Sequence, residues 1–412
     1  MDDNDRSIIG FLMVGHGMVH TYELSIPILL TAWLQEFSTS VAILGGAATV
    51  GYGLFGVGAL PGGILVDRYG SKRLVIAGIA GMGASFVLLS VAPGVVAITA
   101  ALALWGAAAS VYHPAGLTLI SNGVQDRGRG FAYHGMGGNV GIAAGPLVTA
   151  LVLLAFDWRI VTVLLAVPAL VATLYGLTVS FDPTAAVEFD TEADRSPPPT
   201  LETFTSETRR LFTLGFLVVF VIVSLNGLYY RGILTFLPDL LGDFLTTSVG
   251  DVSPGIFGPD SQFAGEFDMS RYLYAGLLTV GIAGQYLGGR LSDALEPDRG
   301  LVFVLVGLTV LALAFVPVAG MGLGGLLVAS FVLGLILFAV QPLNQATIAK
   351  YSMPEARGLS FGYTYLAIFG IGALGASIVG LVLTYATVDV MFVVLALFSF
   401  ASTVLALFLV SR

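Results

Sequence analysis

The chain has no cysteine in 412 residues, which excludes disulfide frameworks and thiol chemistry. It is also poor in charge. Asp, Glu, Lys and Arg together make up 10% of it, where about 25% is usual in a soluble domain. So few charges cannot clothe the surface of a soluble protein of this size. A soluble enzyme, a nucleic-acid binder and a disordered chain are excluded together. No Gly-rich GKS/T loop occurs, so ATP hydrolysis has no seat. No Asn-x-Ser/Thr acceptor occurs either, and lysine is reduced to Lys72 and Lys350.

What fills the chain instead is apolar. The AVILMFWYC share is 56%, with 53 Gly beside it, and the mean hydropathy is +0.92. The apolar runs are continuous, not the ~10-residue alternating segments of a transmembrane β-barrel. A helical span needs ~20 apolar residues. Runs bounded by charge or by Gly/Pro clusters place spans at 8–33, 41–66, 73–92, 95–121, 130–155 and 158–180. A second set follows at 211–239, 271–294, 300–318, 322–349, 358–385 and 388–410. The expected fold class is an all-α membrane protein with twelve transmembrane helices in two pseudo-symmetric six-helix bundles. Residues 1–180 form the first bundle and residues 211–412 the second. Residues 181–210, with seven acids, three Arg and Ser196-Pro197-Pro198-Pro199, read as a solvated acidic linker with room for a surface helix. The start, Met1-Asp2-Asp3-Asn4-Asp5-Arg6, lacks the cationic flank of a signal peptide, so the first run is expected to stay as a span.

The loop charges orient the chain. With the N-terminus inside, Arg6, Arg68, Lys72, Arg73, Arg127, Arg129, Arg195, Arg209, Arg210, Arg290, Arg299, Lys350, Arg357 and Arg412 are cytoplasmic. Arg159 and Arg271 are then outside, and Arg231 lies within a span. The expectation is a multi-pass cell-membrane protein with both termini cytoplasmic. The net charge of −9 argues against nucleic acid as a partner. An acid surplus with almost no lysine is the habit of salt-adapted proteomes, and a haloarchaeal origin is expected from it. The two halves also repeat. His113-Pro114 to Arg129-Gly130 matches Gln341-Pro342 to Arg357-Gly358 at an offset of 228, and Gly63-x-Leu65-x-Asp67 matches Gly289-x-Leu291-x-Asp293 at 226. Such repeats are transporter architecture, with substrate bound near the midplane between rocking halves.

The segment Gly63-Ile64-Leu65-Val66-Asp67-Arg68-Tyr69-Gly70-Ser71-Lys72-Arg73 resembles the signature loop of the major facilitator superfamily, G-x-L-x-D-R/K-x-G-R/K-R/K, with Ser71 the one departure. Ser110-Val111-Tyr112-His113-Pro114, Gly137-Gly138-Asn139-Val140-Gly141, Gly145-Pro146, and Arg231 with Thr235-Phe236-Leu237-Pro238 are similar to the fosmidomycin-resistance-like, drug–proton antiporter branch, with Ala115 as a departure. The resemblance implies that Asp67 and Arg68 latch a cytoplasmic gate, with Lys72 and Arg73 beside them and Asp293 as the weaker counterpart in the second half. Gly63 is expected at a close helix contact and Gly70 in a tight turn. Gly137, Gly141 and Gly145, ending at Pro146, resemble the antiporter motif G-x-x-x-G-P and are expected to pack a helix closely. Thr149 stands where that motif has a further Gly.

Ionisable groups at membrane depth are costly and face a cavity or a partner. His16, His20 and Glu23 are spaced i, i+4 and i+7, so they share one helix face. Histidine suits a proton relay. Glu23 is expected to exchange a proton with the outside, with the His pair passing it inward. His113 stands before Pro114, which bends a helix, and is expected at a cavity. His134 is expected within a turn or so of the cytoplasmic face, and solvated there. Pairing Pro238 with Pro27 puts Arg231 opposite His20, where it needs an anion: Glu23 or an anionic substrate. Asn139, Asn226, Gln285, Gln341 and Asn344 are uncharged hydrogen-bonding candidates. Gly51-Tyr52-Gly53-Leu54-Phe55-Gly56 satisfies G-x-G-x-x-G, but it lies inside a span with no strand before it, so no nucleotide site is expected. Metal-ligand spacing is limited to His16 and His20 without a third ligand nearby in sequence, so neither metal nor cofactor is expected.

The leading expectation is a secondary active transporter, not an enzyme. It works as a monomer in the lipid bilayer and exports small amphipathic or anionic compounds in exchange for a coupling ion, H⁺ ahead of Na⁺. The alternatives are an H⁺- or Na⁺-coupled uptake symporter for an organic anion, and a non-transporting membrane sensor of transporter fold.

Overall fold

The structure, a computed structural model, describes residues 1–187, 201–249, 268–352 and 357–412. The first half holds α1 (Asp3–Glu36), α2 (Val41–Val57), α3 (Ala59–Tyr69), α4 (Ser71–Ser90), α5 (Val95–Ser110), α6 (Tyr112–Gly123), α7 (Arg127–Leu153) and α8 (Trp158–Thr178). A short helix, α9 (Leu201–Leu211), leads into α10 (Leu214–Val249), α11 (Met269–Ala294), α12 (Pro297–Ala319) and α13 (Leu323–Tyr351). Then come α14 (Arg357–Tyr365), a π-helical stretch (Leu366–Ile371), α15 (Leu374–Tyr385) and α16 (Val388–Val410). Within a bilayer every backbone polar group must be satisfied locally, which favours helix throughout. Six starts are capped by side chains: Asp2, Ser40, Asp126, Asp157, Asp268 and Thr387 each accept a backbone N–H from the first turn.

Among the described residues nine helices are long and apolar enough to cross a membrane, ten if α2 and α3 are one bent span. α1 and α11 have the length, 34 and 26 residues, but carry a heavier polar load. On α1 that load is His16, His20 and Glu23, the residues of the site below. With these two the span expectation is met rod by rod, although the boundaries shift. α1 runs past 8–33 at both ends, and α10 runs ten residues beyond 239. The second span is bent by 40° at Gly58, where a Cβ would fall 2.3 Å from Ser110 Oγ. The fourth breaks at Val111, one turn before Pro114, whose ring opposes the carbonyl four residues back. Residues 188–200 of the expected linker, including Ser196-Pro197-Pro198-Pro199, lie outside the described residues, as do residues 250–267, between the expected spans 211–239 and 271–294; α9 is the helix for which the linker had room.

Packing follows one pattern twice. α4 lies on α8 as α12 lies on α16; α2 lies on α5 as α11 lies on α13; α1 lies on α7 as α10 lies on α15. The halves meet along two seams, α2 with α15 and α7 with α11, and α1 touches α10 between them. Outward faces are apolar, with Val167, Leu170 and Leu174 on α8 and Leu397, Phe400 and Val404 on α16 all exposed. A face that is apolar and outermost suits lipid.

Candidate functional site

The site lies where α1, α2, α6, α7, α10 and the π-helical stretch converge. Glu23 stands about 30 Å along α1, a helix about 51 Å long by its rise per residue. Pro27 has no N–H to give the Glu23 carbonyl, and the Tyr52 hydroxyl of α2 donates to it instead at 3.3 Å. The Glu23 carboxylate has two partners. Arg231 of α10 donates from one terminal nitrogen to Oε1, so the two halves are joined by a buried ion pair, each residue 1% exposed. His20 meets Oε2 through Nδ1 at 2.6 Å. The Arg231 guanidinium stacks over the Tyr52 ring at 4.0 Å, with the Phe369 ring at 5.3 Å, and its Nε–H is buried without a partner. Of the two anions open to Arg231 from the sequence, the structure pairs it with Glu23.

From His20 the row continues. His20 Nε2 faces His16 Nε2 at 3.0 Å, and His16 Nδ1 donates to the His134 carbonyl oxygen at 2.7 Å. Carbonyl and carboxylate both only accept. Three hydrogen bonds in line between two acceptors need three hydrogens, while two neutral imidazoles carry two. With a carboxylate at one end, the row is complete only with one further cation on it. The ring tautomers follow from these partners.

His113, in the first turn of α6, closes the cluster. Its ring lies 5.1 Å from that of His16 and stacks on Tyr365 at 4.9 Å, and both its nitrogens are buried without a partner. His134 departs from expectation. It is buried, 5% exposed, and its ring stacks on His16 at 3.9 Å, because α7 leans against α1 along its glycines and carries the ring inward. The premise for expecting no metal also changes. Donor atoms of His16, His20 and His113 all lie within 4.8 Å of one another, the third ligand coming from another helix instead of from nearby sequence.

The glycine stripe lies where α7 meets α1. A Cβ at Gly137, Gly141 or Gly145 would fall 2.6 Å from Met13 O, 2.2 Å from Gly17 O and 2.6 Å from Thr21 Cα, so the two helices touch backbone to backbone every fourth residue, up to Pro146. Gly138 escaped sequence reasoning. A Cβ there would lie 2.6 Å from the His16 ring, so this glycine makes the room the histidine occupies; the paired Gly137-Gly138 was the available signal. Gly51 and Gly56 of the G-x-G-x-x-G run are packing positions, against Leu102 and against Gly370.

The uncharged candidates divide. Asn226 donates to Asn344 at 3.0 Å and Gln285 to Gln341 at 3.0 Å, two cross-helix pairs that stitch α13 to its neighbours. Asn139 is half-buried and outside these pairs. At the signature loop, Gly70 has φ 81°, as a tight turn requires, and α3 packs on α14. Gly63 is a correction. Nothing lies within 4 Å of a Cβ there, and Gly62 instead faces Pro114 at 3.0 Å, because the contact with α6 falls on the neighbouring face of the helix. Lys72 donates to the Val179 carbonyl at 2.6 Å, Arg68 stacks over Tyr69 at 5.3 Å, and Arg73 is exposed. The side chain of Asp67 lies outside the described ones. Asp293 is exposed; the buried acid at that end of the second half is Asp298, which accepts from Lys350 at 3.0 Å and Tyr351 at 2.8 Å. An acid one residue after the helix-starting Pro297 was its signal.

Between the halves contact runs from α2 against α15 and the π-helical stretch to α3 against α14. A Cβ at Gly45 would lie 2.6 Å from Ala376 O, one at Gly56 would lie 1.9 Å from Gly370 N, and one at Gly362 would lie 3.2 Å from Leu60. At the end opposite the N-terminus, Arg271 of α11 reaches the Thr31 hydroxyl of α1 at 3.4 Å.

Known proteins resemble this chain in sequence or in fold. An uncharacterised MFS-type transporter of Mycobacterium tuberculosis is 29% identical over 327 residues, 76% of this chain and 70% of the relative. The multidrug resistance protein MdtH of Shigella boydii is 22% identical over 90% of this chain and 82% of its own length. The crystal structure of a point mutant of the nucleoside transporter NupG superposes with a TM-score of 0.75 at 16% identity, over 98% of this chain and 99% of that one. Residues 11–258 match the profile of the Major Facilitator Superfamily, and with its helical rods packed by one pattern twice, the chain belongs to that superfamily of membrane transporters.

Proposed function

We propose that this transporter is a proton-coupled exporter of small amphipathic or anionic compounds, working by alternating access. Residues 1–180 and 211–412 are the two moving bundles, residues 181–210 the linker on the cytoplasmic side, and both termini face the cytoplasm. The observation that carries the reading is the buried Glu23–Arg231 pair, which ties the halves together while His20 holds the other carboxylate oxygen. A proton taken up by Glu23 removes the charge that holds Arg231. The freed guanidinium then meets an anionic group of the substrate, to which its planar fork is suited. The closed α2–α15 seam fits an occluded intermediate of such a cycle. Proton is favoured over Na⁺ as the coupling ion because the polar row offers imidazole nitrogen, whereas hard cations are held by oxygen ligands. Efflux is favoured by the kinship with a multidrug resistance protein.

The test is flux. Purified protein in liposomes, given an imposed pH gradient and screened over amphipathic anions and drugs, is expected to accumulate at least one of them against its gradient, and a protonophore is expected to collapse that accumulation. A substrate flux indifferent to the pH gradient would overturn the coupling.

A further inference from the structure

We infer that His16, His20 and His113 form a binding site for a borderline divalent metal ion of the Zn²⁺ class. Binding is an equilibrium property, so this goes beyond the transport reading above and stands or falls separately from it. Metal-ligating histidines typically donate their other ring N–H to a carboxylate or a backbone carbonyl, which fixes the tautomer and leaves the second nitrogen free. Both arrangements are present. His20 Nδ1 is held by Glu23 at 2.6 Å and His16 Nδ1 by the His134 carbonyl at 2.7 Å. With both Nδ1 atoms protonated, the two Nε2 lone pairs face each other at 3.0 Å, an arrangement that calls for a cation between them. Two nitrogens on a tetrahedral Zn²⁺, at 2.0–2.1 Å each, sit about 3.3 Å apart, so the pair is already close to spacing. His113 supplies the third ligand. It is 4% exposed, neither ring nitrogen has a partner, and its donor lies within 4.8 Å of the other two. A swing of its ring in the first turn of α6 closes the remaining gap.

Three protein nitrogens leave the fourth position open, as in exchangeable zinc sites and unlike closed structural ones. Glu23 already balances Arg231, so charge balance calls for an anionic fourth ligand such as hydroxide or chloride. Imidazole selects Zn²⁺, Co²⁺, Ni²⁺ and Cu²⁺ over Mg²⁺ and Ca²⁺.

The experiment uses the full-length protein in detergent, freed of any histidine tag, titrated with Co²⁺ and followed by the visible absorption of four-coordinate cobalt. One Co²⁺ per chain is expected, displaced by Zn²⁺ and untouched by Mg²⁺. His113→Gln is expected to weaken binding at least tenfold and His20→Asn to abolish it. His134→Gln is expected to change it less than threefold, because His134 acts through its carbonyl. Monodispersity on size exclusion checks that each variant is folded; should His20→Asn fail that check, His113→Gln and the stoichiometry still decide. Absence of a saturable cobalt signal from folded wild-type protein, or a signal the same in His113→Gln, would overturn the site.

Discussion

Arg231 is the point at which a buried ion pair joins the two halves. At 1% exposure its charge has to be met, since an unpaired cation at the bilayer centre costs about 2.5–3.5 kcal/mol on insertion scales. Glu23 meets it. Arg231→Ala strands a buried carboxylate and is expected to destabilise the protein by about 3–5 kcal/mol, read as a lowered melting temperature in detergent. Adding Glu23→Gln to that variant is expected to restore part of the loss, because the remaining partner no longer carries charge. Strictly additive effects in the double variant would contradict the pair. The residues of this pair were legible in the sequence. Spacing i, i+4, i+7 put His16, His20 and Glu23 on one face, and the internal repeat set Arg231 opposite. What was not legible was their bonding order, because one end of the row is the His134 backbone carbonyl, and a carbonyl leaves no mark on residue type. The same blindness misplaced His134, whose depth depends on how closely α7 approaches α1.

At the scale of elements, that approach is governed by glycine. α1 and α7 touch at every fourth residue, and the faces differ sharply in what they tolerate. Gly138→Ala puts a methyl group 2.6 Å from the His16 ring, and overpacking of this kind costs about 1–3 kcal/mol. Gly135 has nothing within 4 Å of an added Cβ, so Gly135→Ala is expected to be neutral or to stabilise by about 0.5–1 kcal/mol through helix propensity. Thermal melts of the two variants check this, and equal melting temperatures would contradict the packing. The spans were legible because lipid demands long apolar runs. Their breaks were less so. The break at Val111 and the bend at Gly58 each precede a proline by three residues, Pro114 and Pro61, but a proline within an apolar run does not fix how far the rod turns, and Gly58 also packs against Ser110, which only the tertiary arrangement brings there. Gly63 fails for a related reason, since its loop motif does not say which face of α3 meets α6.

For the whole molecule, the proposed cycle has two bundles that part at one face while closing at the other. Asp67→Asn, at the signature loop where α3 packs on α14, is expected to slow substrate cycling severalfold while insertion and melting temperature stay normal; full-rate transport by that variant would remove the loop from the gate. Protonation of Glu23 is the proposed drive for this motion, and two transport modes of Glu23→Gln compared in the same liposomes test it. One is accumulation driven by an imposed pH gradient; the other is counterflow between equal substrate pools, which needs no net proton movement. The account predicts that accumulation is lost and counterflow survives. Gradient-driven accumulation at the wild-type level in Glu23→Gln would contradict it.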